Sequence, residues 1–145
     1  MTLDQIFDEI KKDLGKLDLS RLAEYSAENT YLFNKYHKTY RIARKKLRQL
    51  QKQEIILLSE LDQYYEGTAD EEVVKRKGIL DKRFKFKDGR DKAIKSDNEY
   101  IDLSDKIHDQ EEIVETLKET MQAIRDRQWN IRNANESLKF TQGNV

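Results

Sequence analysis

Eight lysines and arginines lie between Lys35 and Lys52 without an Asp or Glu among them. On a helical wheel Lys38, Arg41, Arg44, Lys45, Arg48 and Lys52 point one way, with Lys35 opening the run, while Tyr36, Tyr40, Ala43 and Leu47 point the other. A row of cations opposed to a packed face suits phosphate binding, through charge-assisted hydrogen bonds and release of a polyanion's counterions. The same row also suits a solvated helix face whose charges pair with an acidic neighbour, and the stretch 97–119 offers one. Composition does not choose between the two. Tyr36 and Tyr40 belong to the apolar stripe, which makes them core residues rather than platforms for bases.

A second set of cations, Lys82, Arg83, Lys85, Lys87 and Arg90, accompanies the alternation Arg83-Phe84-Lys85-Phe86-Lys87. Period two puts both phenylalanines on one side and the cations on the other. Exposed, the rings would stack on unpaired bases; buried, they would mark an edge strand. Nothing comparable supports catalysis. His37 and His108 fall in different helical segments and outside any metal-ligand pattern, and there is no G-x-x-x-x-G-K-[ST] phosphate loop. Asp62, Glu66 and Asp70 could be imagined around Mg²⁺, but carboxylates flanking a loop are ordinarily solvated. Cysteine is absent, which removes thiolate chemistry, disulfides and Cys-based metal sites. The chain is expected to be no enzyme, with no catalytic residue, no metal site and no cofactor.

These groups sit in 145 residues carrying 28 basic and 28 acidic side chains. The neutrality is a cancellation of blocks: residues 1–28 sum to −3, 35–52 to +8, 54–74 to −7, 75–95 to +7, 97–119 to −7 and 125–139 to +2. Such blocks make local fields that attract polyanions or complementary protein surfaces whatever the net charge. The absence of proline, only five glycines, and 39% charged against 37% hydrophobic residues favour long helices. So little apolar material leaves a lone chain short of core, and self-association is the natural remedy. Met1-Thr2-Leu3-Asp4 lacks the layout of a signal peptide, and no apolar run reaches bilayer length. A soluble, intracellular protein without a membrane partner is expected.

The elements that must position the cations are helices, and the expected fold is all-α. It consists of a short N-terminal helix and two long helices with an irregular or short β connection. All belong to one oligomerising domain over 1–145: helices in 1–66, a basic connector in 67–95 and a heptad helix in 96–140. Thr2 and Gln5 have capping-box spacing for a helix over 3–14, with Gly15 to end it. The chain restarts at Asp18 or Ser20, and then shows neither Gly nor Pro up to Glu66. The last helix starts at Ser96-Asp97-Asn98-Glu99. Its seam, stepping by three and four, includes Leu103, Ile107, Val114, Leu117, Met121, Ile124, Ile131 and Leu138. A sustained period of this kind predicts helix packing along a seam, read here as the oligomer contact. Gln110, Gln128 and Asn135 interrupt it, either selecting register or oligomer state or lying where the seam meets solvent.

The C-terminal segment Ala123-Ile124-Arg125-Asp126-Arg127-Gln128-Trp129-Asn130-Ile131-Arg132-Asn133-Ala134, running on to Leu138-Lys139-Phe140-Thr141-Gln142-Gly143, resembles the closing helix of the UvsY-type recombination mediators of T-even-like phages. Ala27-Glu28-Asn29 with Tyr31-Leu32-Phe33-Asn34-Lys35-Tyr36, and the junction Leu61-Asp62-Gln63-Tyr64-Tyr65-Glu66-Gly67, are similar in order and spacing; the likeness is weakest over 68–95. The resemblance implies a protein that binds single-stranded DNA and assembles into homo-oligomeric rings of roughly six or seven subunits. It also implies help to a phage recombinase in displacing single-strand-binding protein, in the cytoplasm of the infected bacterial host. In the family, basic residues just before the tyrosine pair contribute to DNA binding. Here that stretch is Leu57-Leu58-Ser59-Glu60-Leu61-Asp62, without a cation. DNA contacts are therefore expected at 35–52 and 82–95, ahead of Arg125, Arg127, Arg132 and Lys139. The competing expectation is a structural coiled-coil or helical-bundle adaptor that binds no nucleic acid.

Overall fold

The structure, a computed structural model, describes residues 1–15 and 22–141. Its elements are five helices: α1 (Leu3–Asp13), α2 (Leu22–Glu66), α3 (Glu71–Lys77), α4 (Lys87–Lys95) and α5 (Asn98–Thr141). Among the described residues there is no strand; of the two connections expected, the irregular one holds over 78–86 and the short β one does not. A lone strand has no ladder to satisfy its backbone. What was not expected is a short helix on each side of that stretch, α3 and α4. The expected restart at Asp18 or Ser20, and Gly143 beyond the last helix, lie outside the described residues.

Local chemistry accounts for the helix ends. Thr2 and Gln5 close the capping box: the Gln5 N–H donates to Thr2 Oγ1 at 3.3 Å and the Thr2 N–H to Gln5 Oε1 at 2.9 Å. α3 has Glu71 and Glu72 in its first turn and Lys75, Arg76 and Lys77 in its last, which complements the helix dipole at both ends. Gly78, at φ 95°, stops it. At the start of α5 the Asp97 carboxylate accepts the Glu99 N–H at 2.9 Å.

The described residues pack as two compact units, one drawn from Met1–Lys45 with Glu111–Val145 and the other from Lys46–Gln110. In the first, Ile6 of α1, Leu32, Tyr36 and Ala43 of α2, and Leu117, Met121 and Ile124 of α5 form one buried cluster. The large aliphatic side chains among them each contribute about 1.5–3 kcal/mol by leaving water. Asp13 ties α1 down by accepting from Tyr36 Oη and Lys35 Nζ, both at 2.8 Å. Further along, Tyr25 packs with Ile131. Between these clusters lies a polar layer. Asn29 Nδ2 donates to the Ile124 carbonyl at 2.9 Å and to Gln128 Oε1 at 3.2 Å, and Gln128 Nε2 donates to Ser26 Oγ at 3.3 Å. Gln128 thus bonds to α2 of its own chain rather than lying where a seam meets solvent.

The second unit buries Leu61, Tyr64, Val73, Ile94 and Ile107. Around them, Asp97 accepts from Tyr65 Oη at 2.7 Å and from Lys77 Nζ through the same oxygen. Tyr64 Oη donates to the Gly78 carbonyl at 2.9 Å. Arg76 bridges Glu60 and Glu99, at 3.0 Å each.

Candidate nucleic-acid interface

Each unit carries its own share of the basic run on α2. In the first unit Lys38, Arg41, Arg44 and Lys45 are exposed, and no carboxylate lies within ion-pair distance of any of them among the described residues. Arg44 is instead stacked over the Tyr40 ring, 5.6 Å from its centroid. Lys35 differs: it is held by Asp13 at 2.8 Å and Glu9 at 3.7 Å, and its hydrogen bond to Asp13 raises its pKa despite burial. Part of its charge is spent inside the molecule. Tyr36 is 1% exposed and sits in the core, and Tyr40 packs against that core. In the second unit Lys46, Arg48 and Lys52 are exposed and likewise without a carboxylate partner among the described residues.

The connector brings Lys82, Arg83, Lys85, Lys87 and Arg90 together by docking on the end of α2. The Phe84 N–H donates to the Tyr65 carbonyl at 2.9 Å, and the two rings meet edge-on at 5.9 Å. Arg83 lies over Gly67, whose φ is +90°; a Cβ there would stand 2.7 Å from the Arg83 side chain. Arg90 fastens the loop from the other side. Its Nε donates to Asp62 Oδ1 at 2.9 Å and its Nη1 to the Lys85 carbonyl at 2.9 Å. Arg90 therefore positions the loop, while Lys82, Arg83, Lys85 and Lys87 remain exposed. The alternation does not put its two rings on one side: Phe84 is half-buried and Phe86 is 82% exposed.

The residues expected at the oligomer seam fall in several environments. Leu117, Met121 and Ile124 are consumed by the chain's own core, Ile131 is buried against Tyr25, and Ile107 is buried in the second unit. Val114 packs at the edge of the first core, Leu103 lines a shallow groove with Ile56 and Leu57, and Leu138 is 37% exposed. Of the C-terminal cations, Arg125 covers the Phe33 ring and Arg127 the Tyr25 ring, while Arg132 and Lys139 are exposed. The network of Asp97, Lys77 and Tyr65 has no motif in the sequence. Its only sequence signal was the capping position of Asp97, since Tyr65 lies 32 residues away.

Among the described residues no three His, Asp or Glu side chains gather as a metal site would require, and no helix is long and apolar enough to cross a membrane. Each unit thus carries exposed cations with no carboxylate partner among the described residues, a chemistry suited to phosphate contacts.

Residues 9–144 match the family model described as recombination, repair and ssDNA binding protein UvsY. In fold the chain is similar to the crystal structure of the bacteriophage T4 recombination mediator protein UvsY in lattice type II. The TM-score is 0.86 at 19% identity, covering 98% of each chain. The same phage protein in lattice type IV gives a TM-score of 0.84 at 18% identity, covering 97% of this chain and 99% of that one. No curated protein matches the chain in sequence.

Proposed function

The chain belongs to the UvsY family of recombination and repair proteins, and from that premise we propose that it is a single-stranded-DNA-binding recombination mediator. It helps load a phage recombinase onto DNA coated by single-strand-binding protein, in the cytoplasm of the infected host. The carrying observation is that Lys38, Arg41, Arg44 and Lys45 in one unit, and Lys46, Arg48 and Lys52 in the other, are exposed and have no carboxylate partner among the described residues. Cations left unneutralised by their own fold have their full charge available for phosphates. With Lys82, Arg83, Lys85 and Lys87 they supply backbone contacts that carry no sequence preference. Lys35 and Arg90, already tied to carboxylates, act beside these contacts by holding α1 and the connector in place.

The working form is a homo-oligomer, the ring of roughly six or seven subunits that the resemblance implies. Repetition turns modest sites into strong binding, because each further contact along one strand is intramolecular. In α5, Leu103, Val114 and Leu138 remain for packing between subunits, with Ile107, Leu117, Met121, Ile124 and Ile131 supporting that surface from within. The recombinase and the single-strand-binding protein follow from the family, as partners on the same DNA.

Titrating salt against binding to a labelled single-stranded oligonucleotide tests this reading. Affinity should fall steeply, with a log–log slope of about 0.7 per phosphate neutralised. Changing Arg44, Lys45 and Arg48 to Glu should weaken binding by roughly ten-fold or more and leave the sedimentation of the oligomer as it was. A chain that binds no oligonucleotide even at low salt is not a DNA-loading mediator.

A further inference from the structure

We propose that Phe86 is a base-stacking residue for single-stranded DNA, presented by a connector loop that the second unit holds in place. The proposal rests on the DNA-binding reading above and adds a contact to the bases where that reading has only phosphates. The backbone around Phe86 is pinned on both sides. Phe84 is bonded to the Tyr65 carbonyl at 2.9 Å, and the Lys85 carbonyl is held by Arg90 at 2.9 Å. The Phe86 carbonyl itself accepts the Arg90 N–H at 3.1 Å as α4 begins. Gly89 lets α4 close on this loop, since a Cβ there would come within 3.2 Å of the Phe84 ring. The 82% exposure of Phe86 is therefore a held position.

An aromatic side chain fixed in water gives up its burial and keeps a free π face. Its surroundings select what that face would meet. Lys85 and Lys87 flank it and Lys82 stands nearby in the loop, all exposed and without a carboxylate partner among the described residues. Asp81 and Asp88 share the stretch but leave the cations in excess. Apart from Ile79, 88% exposed, the loop from 79 to 88 offers no other exposed apolar side chain, which is too little for an apolar protein partner. A nucleotide matches both features at once, with a flat base for the ring and a phosphate for the lysines. Duplex DNA hides its base faces, so the contact favours single strands.

The full-length chain should be titrated with two oligomers of equal phosphate number, polythymidylate and an abasic strand. Phe86→Ala should weaken polythymidylate binding by about five-fold or more, with abasic binding and the salt slope unchanged. Phe86→Trp in a Trp129→Phe background puts the only tryptophan at the site; its fluorescence should be quenched by polythymidylate and not by the abasic strand. Equal losses on both oligomers, or no loss on polythymidylate, overturn the stacking role while leaving DNA binding intact. A Phe86→Ala change that alters sedimentation and spares affinity assigns the ring to a protein contact and likewise overturns it. If the unaltered chain binds neither oligomer at low salt, the functional reading falls together with this one.

Discussion

Asp97 is 5% exposed and remains ionised, because it answers three donors at once: Lys77, Tyr65 and the Glu99 N–H. Burial works to raise its pKa, but the hydrogen bonds from Lys77 and Tyr65 outweigh it and hold the carboxyl below the usual carboxylate range. The folded value is thus lower than the unfolded one. Its contribution to stability is complete above about pH 4 and is lost as pH falls through the folded value. Denaturant midpoints should drop on acidification below about pH 4, and Asp97→Asn should show a shallower drop over the same range. At neutral pH that variant leaves Lys77, whose side chain is 10% exposed, without its nearer counter-charge and should lose roughly 3 kcal/mol in chemical denaturation. Equal stability would mean that Lys77 finds Glu99, 3.8 Å away, sufficient. The same scale shows what charge counting misses. Lys35 and Arg90 are as cationic as their neighbours, yet their partners Asp13 and Asp62 are 22 and 28 residues away in the chain. No local pattern encodes such pairs; only the packed fold does.

At the scale of elements, periodicity was informative and partner identity was not. The steps of three and four along α5 pick out Ile107, Leu117, Met121, Ile124 and Ile131, all of them buried. A heptad face looks the same whether it meets the chain's own α2 or a second copy, because its spacing records only that something apolar covers it. Leu117, fully buried among Leu32, Tyr36 and Ile124, decides what a polar substitution does. Leu117→Asp should cost on the order of 4 kcal/mol and appear as loss of cooperative helical unfolding in circular dichroism. A variant that stays folded and only dissociates in sedimentation would return this seam to the subunit contact. The connector's two short helices escape the sequence for a different reason. The period-two alternation between them is real, but Phe84 docks and Phe86 does not, because the backbone partners here are Tyr65 and Arg90 rather than a neighbouring strand. What the sequence does mark is the ends of α3, with acids first, bases last and a glycine stop at Gly78. Docking also depends on Gly67, where φ is +90° and Arg83 lies against the backbone. Gly67→Ala should destabilise the chain by on the order of 1 kcal/mol or more and expose Phe84, detectable as faster proteolysis of the connector.

Across the whole molecule, the two long charge runs remain largely unspent within one chain. Lys38, Arg41, Lys45, Arg48 and Lys52 lack ion-pair partners among the described residues, and so do Asp102, Asp105, Asp109, Glu112 and Glu115. This admits two uses of the same blocks. If acidic and basic faces meet between copies, they hold the oligomer together and the cations are unavailable to DNA, as a structural adaptor requires. If apolar packing holds the oligomer, the cations stay free for DNA. Salt separates these cases, because exposed charge pairs are screened within about 8 Å at physiological ionic strength and apolar contacts are not. Sedimentation over a rising salt series should show an oligomer of constant size, while oligonucleotide affinity measured in the same series falls ten-fold or more. Replacing Asp102, Asp105 and Asp109 with Asn sharpens the comparison: the mediator should keep its assembly and bind DNA equally or more tightly. An oligomer that comes apart as salt rises, and more readily in the Asn variant, would show the blocks neutralising one another between subunits. The basic run on α2 would then be an assembly surface, and the DNA contacts would reduce to the connector.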